Sequence, residues 1–578
     1  MKKLWLISLI FILLAGCNPA KNSVKQDNNT LYDEGFEFSN EVIGSKQIHN
    51  DLFVLGKIWG FLKYYHPNVA AGEFDWDVEL FKILPEILEA KSLQERDSAI
   101  SEWITDLGTF EEEKKQVADK NIIIEPDLDW ISELNFEESL ESVLIQVKNA
   151  KKSSENHYIS LAENVGNPVF NEESYVSMDY ENDGYRLLSL YRYWNIIEYF
   201  FPYKNLIDED WDDVLQEFIP KYISDSTELN YKLTTLELIG RIHDTHANIW
   251  NQDEILDEFW GVNSAPFRLS FIENKPVVTG YYEQYFGKKS GLIYGDVITK
   301  INGQPVEEMI KEKLKYIPAS NYPTKLRDIA PKLIQTNEKK LNIEIKREGT
   351  LNQAELEVYP LTVLGFNQSF PPKTIDKDGF LKLDSNIAYL YLGNLFNSDL
   401  PDIMKQIRGA KGLIIDLRAY PADFILYNLS EYLLPKKTTF TKITIGSIEK
   451  PGLFKTIIEL ENGKTNKNYF KGKVIILVNE QTQSQGEFTA MAFRQAPDAL
   501  VIGSTTAGAD GNVSPFQLPG GINTGISGIG IYNPDGSDTQ RVGIIPDITV
   551  TPTIEGIKQN KDEVLEKAIS LINDKSKE

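Results

Sequence analysis

Ser484 is the residue in this chain best placed to act as a nucleophile. In KGKVIILVNEQTQSQGEFTAMAFRQ (471–495) an apolar run reads as a buried strand, a polar turn follows, and Ser484 precedes Gly486 by two residues and Glu487 by three. This predicts a serine hydroxyl at a strand-to-helix junction, with first-turn backbone N–H groups aimed at whatever the hydroxyl attacks. The same Ser-x-x-Glu pattern also reads as a capping box, in which Ser484 and Glu487 only satisfy the helix terminus. The chain has five histidines, and two of them, His243 and His246, fall together in RIHDTHANIW. A metal is disfavoured there: the single cysteine is far away and no acidic third ligand stands at helical spacing from the pair.

The elements around these residues form three blocks. From about Gly379 to Thr553 strand-like and helix-like runs alternate: NIAYLYLGNL, a helix near 399–408, GLIIDLR, a helix near 424–434, VIILVN, the helix after Ser484, and ALVIGS. This predicts a layered α/β core with a buried, largely parallel sheet. Sites in such sheets lie at strand C-terminal ends, where DLRAYP and VNEQTQSQGE both stand. Residues 265–362 are β-rich with one helix near 306–316. Before them, LGKIWGFLKYYHPNVAAGEFDWD from Leu55 matches LYRYWNIIEYFFPYKNLIDEDWD from Leu190, pairing Trp59 with Trp194, Tyr64 with Tyr199, Pro67 with Pro202 and Trp76 with Trp211. This is an internal duplication of a helical unit (55–77 and 190–212), its aromatic residues spaced as packing anchors. His66 faces Phe201 in the alignment of the copies, which favours a structural role for His66.

A formal net charge of −25 argues against a nucleic-acid partner, which needs clustered Lys and Arg. MKKLWLISLIFILLAGC reads as a secretory signal, and Cys17, the only cysteine, stands where a bacterial lipoprotein is cut and acylated. The resulting expectation is a lipid-anchored protein of the bacterial cell envelope, membrane-bound through Cys17, with residues 18–46 as a flexible tether and no internal disulfide.

Two resemblances follow from these motifs. SGLIYGDVITKINGQPVEEM, through Gly291, Leu292, Gly295, Asp296, Ile298, Asn302 and Gly303, resembles a PDZ domain, which implies capture of polypeptide C-termini as an added strand. A PDZ-like block ahead of GLIIDLR, KVIILVN with SQGE, VIGSTTAG and VGIIPDITV resembles the carboxyl-terminal-processing and tricorn-type serine peptidases. That resemblance implies a multidomain α+β protein: a duplicated helical region (47–262), a PDZ-like β domain (265–362) and an α/β layered, crotonase-like peptidase core (363–578). It also implies Ser484 as nucleophile. The processing branch activates its serine with a lysine about twenty-five residues downstream, where this chain has Ala509. The tricorn branch uses a histidine preceded by a hydroxyl residue, which implies His246 as base and Thr245 as its neighbour. A glutamate completes that site in the tricorn branch; Gln540 stands in its place here, and by resemblance it would orient Thr245. The implied oxyanion donors are the Gln485 and Ala422 backbone amides, the latter in a loop where Pro421 has no N–H. Asp416 and Arg418 read as a structural strand-end pair. The expected activity is a serine peptidase of the cell envelope acting on polypeptides, with no metal or organic cofactor. The alternatives are a catalytically silent peptide-binding scaffold and another acyl-transfer enzyme using the same machinery.

Overall fold

The computed structural model describes residues 38, 44–113, 120–365, 379–384 and 386–574. Cys17 and nearly all of the 18–46 tether lie outside the described residues.

The helical region is built on four helices: α1 (Lys46–Tyr65), α2 (Trp76–Glu89), α3 (Asp183–Phe200) and α4 (Trp211–Ser224). Each begins at a short polar side chain that accepts a first-turn N–H: Ser45, Asp75, Asn182 and Asp210. The two copies share one device. Trp59 and Trp76 stack and donate their indole N–H groups to each other's backbone carbonyls at 3.1 and 3.0 Å. Trp194 and Trp211 do the same at 2.7 and 3.1 Å. Burying an indole costs little when its single donor is satisfied.

The copies pack through matching positions of α1 and α3. Tyr64 meets Tyr199 edge-on at 5.7 Å. One and two turns earlier, small faces large. A Cβ on Gly60 would come within 1.8 Å of the Asn195 side chain, and one on Gly56 within 2.5 Å of the Tyr191 ring. Each of these partners lies 135 residues from its mate, so equivalent surfaces meet as in an isologous dimer. Glycine in one copy makes room for the bulk in the other.

Two buried ion clusters sit in this core. Arg192 reaches Asp77 at 2.7 Å and Glu172 at 2.9 Å, and Lys63 reaches Glu172 at 2.7 Å. Arg96 joins Asp51 and Asp97.

His66 caps the end of α1 fully buried, with both ring nitrogens unpartnered among the described residues. Burial pushes its pKa down to about 4. The unfolded chain, with an ordinary histidine near pH 6.5, therefore takes up a proton that the folded state refuses. Stability contributed above that value is lost as pH falls towards about 4. At pH 5 the loss amounts to about 2 kcal/mol. His66→Phe, which copies Phe201 of the second unit, is expected to remove that penalty, flattening the pH dependence of the urea midpoint between pH 7 and 5. An unchanged pH dependence would contradict this.

Residues 265–362 form a sheet of β1 (Phe267–Ile272), β2 (Lys275–Tyr281), β3 (Val297–Ile301), β4 (Lys340–Arg347) and β5 (Thr350–Glu357), in the order β5-β4-β3-β2-β1. The Asn302-Gly303 turn has φ of +48° and +83°, the left-handed pair a tight hairpin demands. A helix absent from the sequence reading, α5 (Tyr322–Leu333), is capped by Asn321 and packs Leu326, Ile329 and Leu333 into the cluster holding Phe267 and Leu269.

The last block holds the site. Its main sheet runs β6 (Phe380–Asp384), β7 (Ile387–Tyr391), β8 (Gly412–Asp416), β11 (Lys473–Val478), β12 (Leu500–Gly503) and β16 (Ile548–Thr549), parallel except for β6. Alternate residues feed different cores. Leu413, Ile415, Val474, Ile476 and Val478 join one cluster, while Ile414, Ile475 and Leu477 join another with Val564, Leu565 and Ala568 of the C-terminal helix Glu563–Asn573. Both faces are therefore covered, which explains the uninterrupted apolar strands. A second, antiparallel sheet was not read from the sequence. It orders Ile122–Ile124, β10 (Phe454–Asn462), β9 (Thr438–Gly446) and β15 (Gly530–Tyr532), so the helical region donates its edge strand.

A hairpin, β13 (Val513–Leu518) and β14 (Ile522–Ser527), leaves the main core and buries Phe516, Leu518, Ile522 and Ile526 in the helical region's cluster. Its tip is held by Tyr231 Oη donating to the Pro519 carbonyl (2.7 Å) and by Gly520 and Gly521 N–H groups donating to Tyr175 and Ser174. The helical region thus fixes where Ser527, at the other end of the hairpin, stands.

Candidate active site

Ser484 joins the end of β11 to α6 (Gln485–Phe493) with φ +53° and ψ −118°, a conformation non-glycine residues rarely adopt. Such strain persists only where the surroundings enforce it. Here the Ser484 N–H donates to the Ala509 carbonyl (2.9 Å) and to Glu487 Oε2 (3.1 Å). The Glu487 carboxylate also receives Thr506 Oγ1 and the Gly508 and Ala509 N–H groups. Burial pushes the Glu487 pKa up, and these donors oppose that. Glu487 is therefore a clamp that ties the Ser484 turn to the 505–511 segment. As the first helical residue, Gln485 carries an N–H that no intrahelical carbonyl can take. Ser484 is half-buried and stands beside Tyr420, which is 51% exposed.

The same segment holds the other loop. The Thr245 hydroxyl lies 3.3 Å from the Ala507 carbonyl, its acceptor, while Ala507 N–H donates to the Thr482 carbonyl. Ser484 and Thr245 are thus attached to carbonyls two residues apart on one strand of backbone. Thr245 is further locked to Ser320 of the 265–362 block, through its hydroxyl and its N–H, both at 2.9 Å.

His246 is buried. Its Nδ1 is 2.9 Å from Ser527 Oγ, and its Nε2 has no partner among the described residues. Ser527 Oγ donates to Asp244 Oδ1 at 3.0 Å, and Ser527 N–H donates to Asp244 Oδ2 at 2.6 Å. Burial lowers the His246 pKa from its ordinary value, and the Asp244 charge opposes the shift. A neutral imidazole with one nitrogen held and the other bare is the form a general base needs.

Two sequence expectations are corrected. Gln540 does not reach Thr245: its Nε2 donates to Asp244 at 3.3 Å, because Ser320 and Ala507 already occupy the Thr245 hydroxyl. Ala422 N–H is not free for an oxyanion, since it donates to the Leu392 carbonyl at 2.9 Å. Ala509, at the position of the processing-branch lysine, is fully buried.

The other site candidates have structural partners. His243 sits 3.3 Å from Asp208, with its pKa pushed down to about 4 by burial and by the neighbouring Lys325 and Arg541 cations. Asp416 accepts from Arg418 and Tyr389, and Arg418 continues to Asp562, a strand-end network under β8.

Three residues of this constellation were missed in the sequence: Asp244, Ser527 and Tyr420. Asp244 carried a local signal, two residues before His246, where a carboxylate can accept the His246 N–H, as it does at 3.1 Å. Ser527 lies 281 residues from His246, with no sequence cue. Asp510, next to Ala509, is buried, and its carboxyl is pushed well above the usual range by burial and the Glu487 charge.

Parts of the chain are similar to known proteins. Residues 386–550 match the model of peptidase family S41. The nisin-resistance protein of Lactococcus lactis subsp. lactis is 32% identical over 111 residues, covering 17% of this chain and 33% of that protein. A carboxyl-terminal-processing protease of Synechocystis sp. is 23% identical over 211 residues, covering 36% of this chain and 45% of that one. The matched region thus spans less than half the length of these curated relatives. Among solved structures, mature CPAF complexed with lactacystin shares the fold with a TM-score of 0.51 at 13% identity, covering 68% of this chain and 98% of that chain. The sequence matches make the assignment: residues 386–550 are a peptidase family S41 domain, and part of the chain is homologous to the carboxyl-terminal-processing proteases.

Proposed function

We propose that this chain is a serine peptidase that hydrolyses polypeptide backbones, with Ser484 as nucleophile and His246 as general base. The observation that carries the reading is the shared backbone segment. The strained Ser484 turn and the Thr245–His246 loop are fastened to Ala509 and Ala507, and the buried His246 ring keeps Nε2 bare. In the reaction Ser484 Oγ attacks the scissile carbonyl carbon while His246 Nε2 takes its proton. The C–N bond then breaks as His246 returns that proton to the leaving amine. Water, deprotonated by the same nitrogen, releases the acyl group. The Gln485 N–H stabilises the oxyanion. Thr245 acts through Ser320 and Ala507 as the fastening of the base loop. The 265–362 block, with its PDZ-like turns, would recruit polypeptide C-termini, and a lipid on Cys17 would hold the enzyme at the cell envelope.

A second reading, a silent peptide-binding protein, draws on the engaged Ala422 amide. The deciding experiment incubates the soluble form beginning at Asn18 with an unfolded polypeptide ending in a free carboxylate or in an amide, and follows fragments by mass. The expected result is cleavage that Ser484→Ala abolishes and that amidation slows. Cleavage indifferent to amidation would remove the C-terminal recognition alone. Binding without cleavage would favour the silent reading.

A further inference from the structure

We propose that Asp244 and Ser527 form a serine-bridged relay that positions His246, with Asp244 supplying the negative charge that Gln540 lacks. The inference rests on His246 being the base of the reading above.

The distances require the bridge. His246 Nδ1 is 3.8 Å from Asp244 Oδ1, too far for a hydrogen bond, whereas Ser527 Oγ lies 2.9 Å from the imidazole and 3.0 Å from the carboxylate. A carboxylate only accepts, so the Ser527 hydroxyl proton points at Asp244 and its lone pair faces Nδ1. Nδ1 must then carry the proton, leaving the Nε2 lone pair as the site that receives the proton of Ser484. The tautomer is set by one hydroxyl.

Gln540 fits this arrangement and a glutamate would not. Its Nε2 donates to the same Asp244 Oδ1 that takes the Ser527 hydroxyl and the His246 N–H. Asp244 is fully buried and Gln540 nearly so. A carboxylate at position 540 would stand against another at about the same spacing with no cation between them. The charge has therefore moved from position 540 to position 244, and an amide at 540 is what tolerates it. Among the described residues the Asp244 charge acts on the His246 ring, and the phenols of Tyr193 and Tyr203 feel it from α3 and the loop after it.

The test is the second-order rate at which a fluorophosphonate phosphonylates the full chain between pH 4 and 9, Ser484 Oγ bonding to phosphorus as fluoride leaves. The variants are Ser527→Ala, Ser527→Thr, Asp244→Asn and Gln540→Glu, each checked for folding by its thermal transition. Ser527→Ala is expected to lower the plateau at least tenfold, and Ser527→Thr, which keeps the hydroxyl, to restore most of it. Asp244→Asn is expected to lower the plateau about a hundredfold. It should also move the acidic limb to lower pH, because the charge that favours protonated His246 is gone. Gln540→Glu is expected to slow phosphonylation. A faster Gln540→Glu, or a Ser527→Ala profile equal to wild type, would overturn the relay while leaving His246 as base. If Asp244→Asn does not fold, the Ser527 pair and Gln540→Glu still decide. A wild type that is not phosphonylated, or whose phosphonylation survives His246→Ala, would instead overturn the underlying reading, and the relay with it.

Discussion

His246→Ala is expected to lower the rate of Ser484 acylation by on the order of 10² to 10⁴, the usual worth of a positioned general base. A serine hydroxyl is almost never ionised at neutral pH, and no lysine is available at position 509 to replace the imidazole. Burial lowers the His246 pKa, and the base works only when neutral. The wild-type rate should therefore hold from neutral pH down past 6.5, the ordinary value of a histidine, and fail only as pH drops through the depressed value. The variant should show no such limb. A pH profile of acylation for the two proteins checks both points. A variant within threefold of wild type would exclude His246 as base.

Arg192→Ala is expected to have the largest effect on stability. Arg192 is fully buried between Asp77 and Glu172, and it also donates to the Glu173 and Gln517 carbonyls. With Lys63 it balances two carboxylates. Removing it leaves Glu172 with Lys63 alone and takes from Asp77 its cation inside the helical core, which costs about 3 to 5 kcal/mol. Because Gln517 lies on the hairpin that ends at Ser527, acylation should fall as well. Arg192→Lys should rescue poorly, since an ammonium cannot reproduce the planar fork that spans both acids. The urea midpoint and the acylation rate, measured on the same preparations, check the coupling; a variant with unchanged midpoint would contradict it.

The parts of this molecule legible in the sequence are those set by local pattern. The apolar runs at Ile387–Tyr391, Gly412–Asp416, Lys473–Val478 and Leu500–Gly503 are strands, because burial on both faces demands uninterrupted apolar residues. The strand-turn-helix at Ser484 was equally local. The cap half of the pattern is seen directly: Glu487 receives the Ser484 N–H, at a residue held at φ +53°.

What escaped was non-local. The β9–β10 ladder alternates polar and apolar residues weakly, and its edge strand, Ile122–Ile124, lies far upstream in a different block, pairing Ile124 with Phe454. α5 is a short amphipathic stretch containing two prolines, one at its first turn and one near its end, which masked it. Gln540 was assigned to Thr245 because motif order says which residues converge but not which of two neighbouring side chains a donor meets. The choice was made by Ser320, from another domain, which already occupied the Thr245 hydroxyl. Ser527 had no motif at all. Its place depends on a hairpin held at its far end by Tyr231, Tyr175 and Ser174, a dependence only the folded helical region reveals.

The central claim is that Ser484 is an activated nucleophile. It is tested most directly by the intact mass of the soluble form beginning at Asn18 after exposure to a fluorophosphonate, for wild type and Ser484→Ala. The account predicts one stoichiometric adduct on wild type, mapped to the peptide containing Ser484 and absent from the variant. A wild type that stays unmodified, or an adduct that persists in Ser484→Ala, would contradict it.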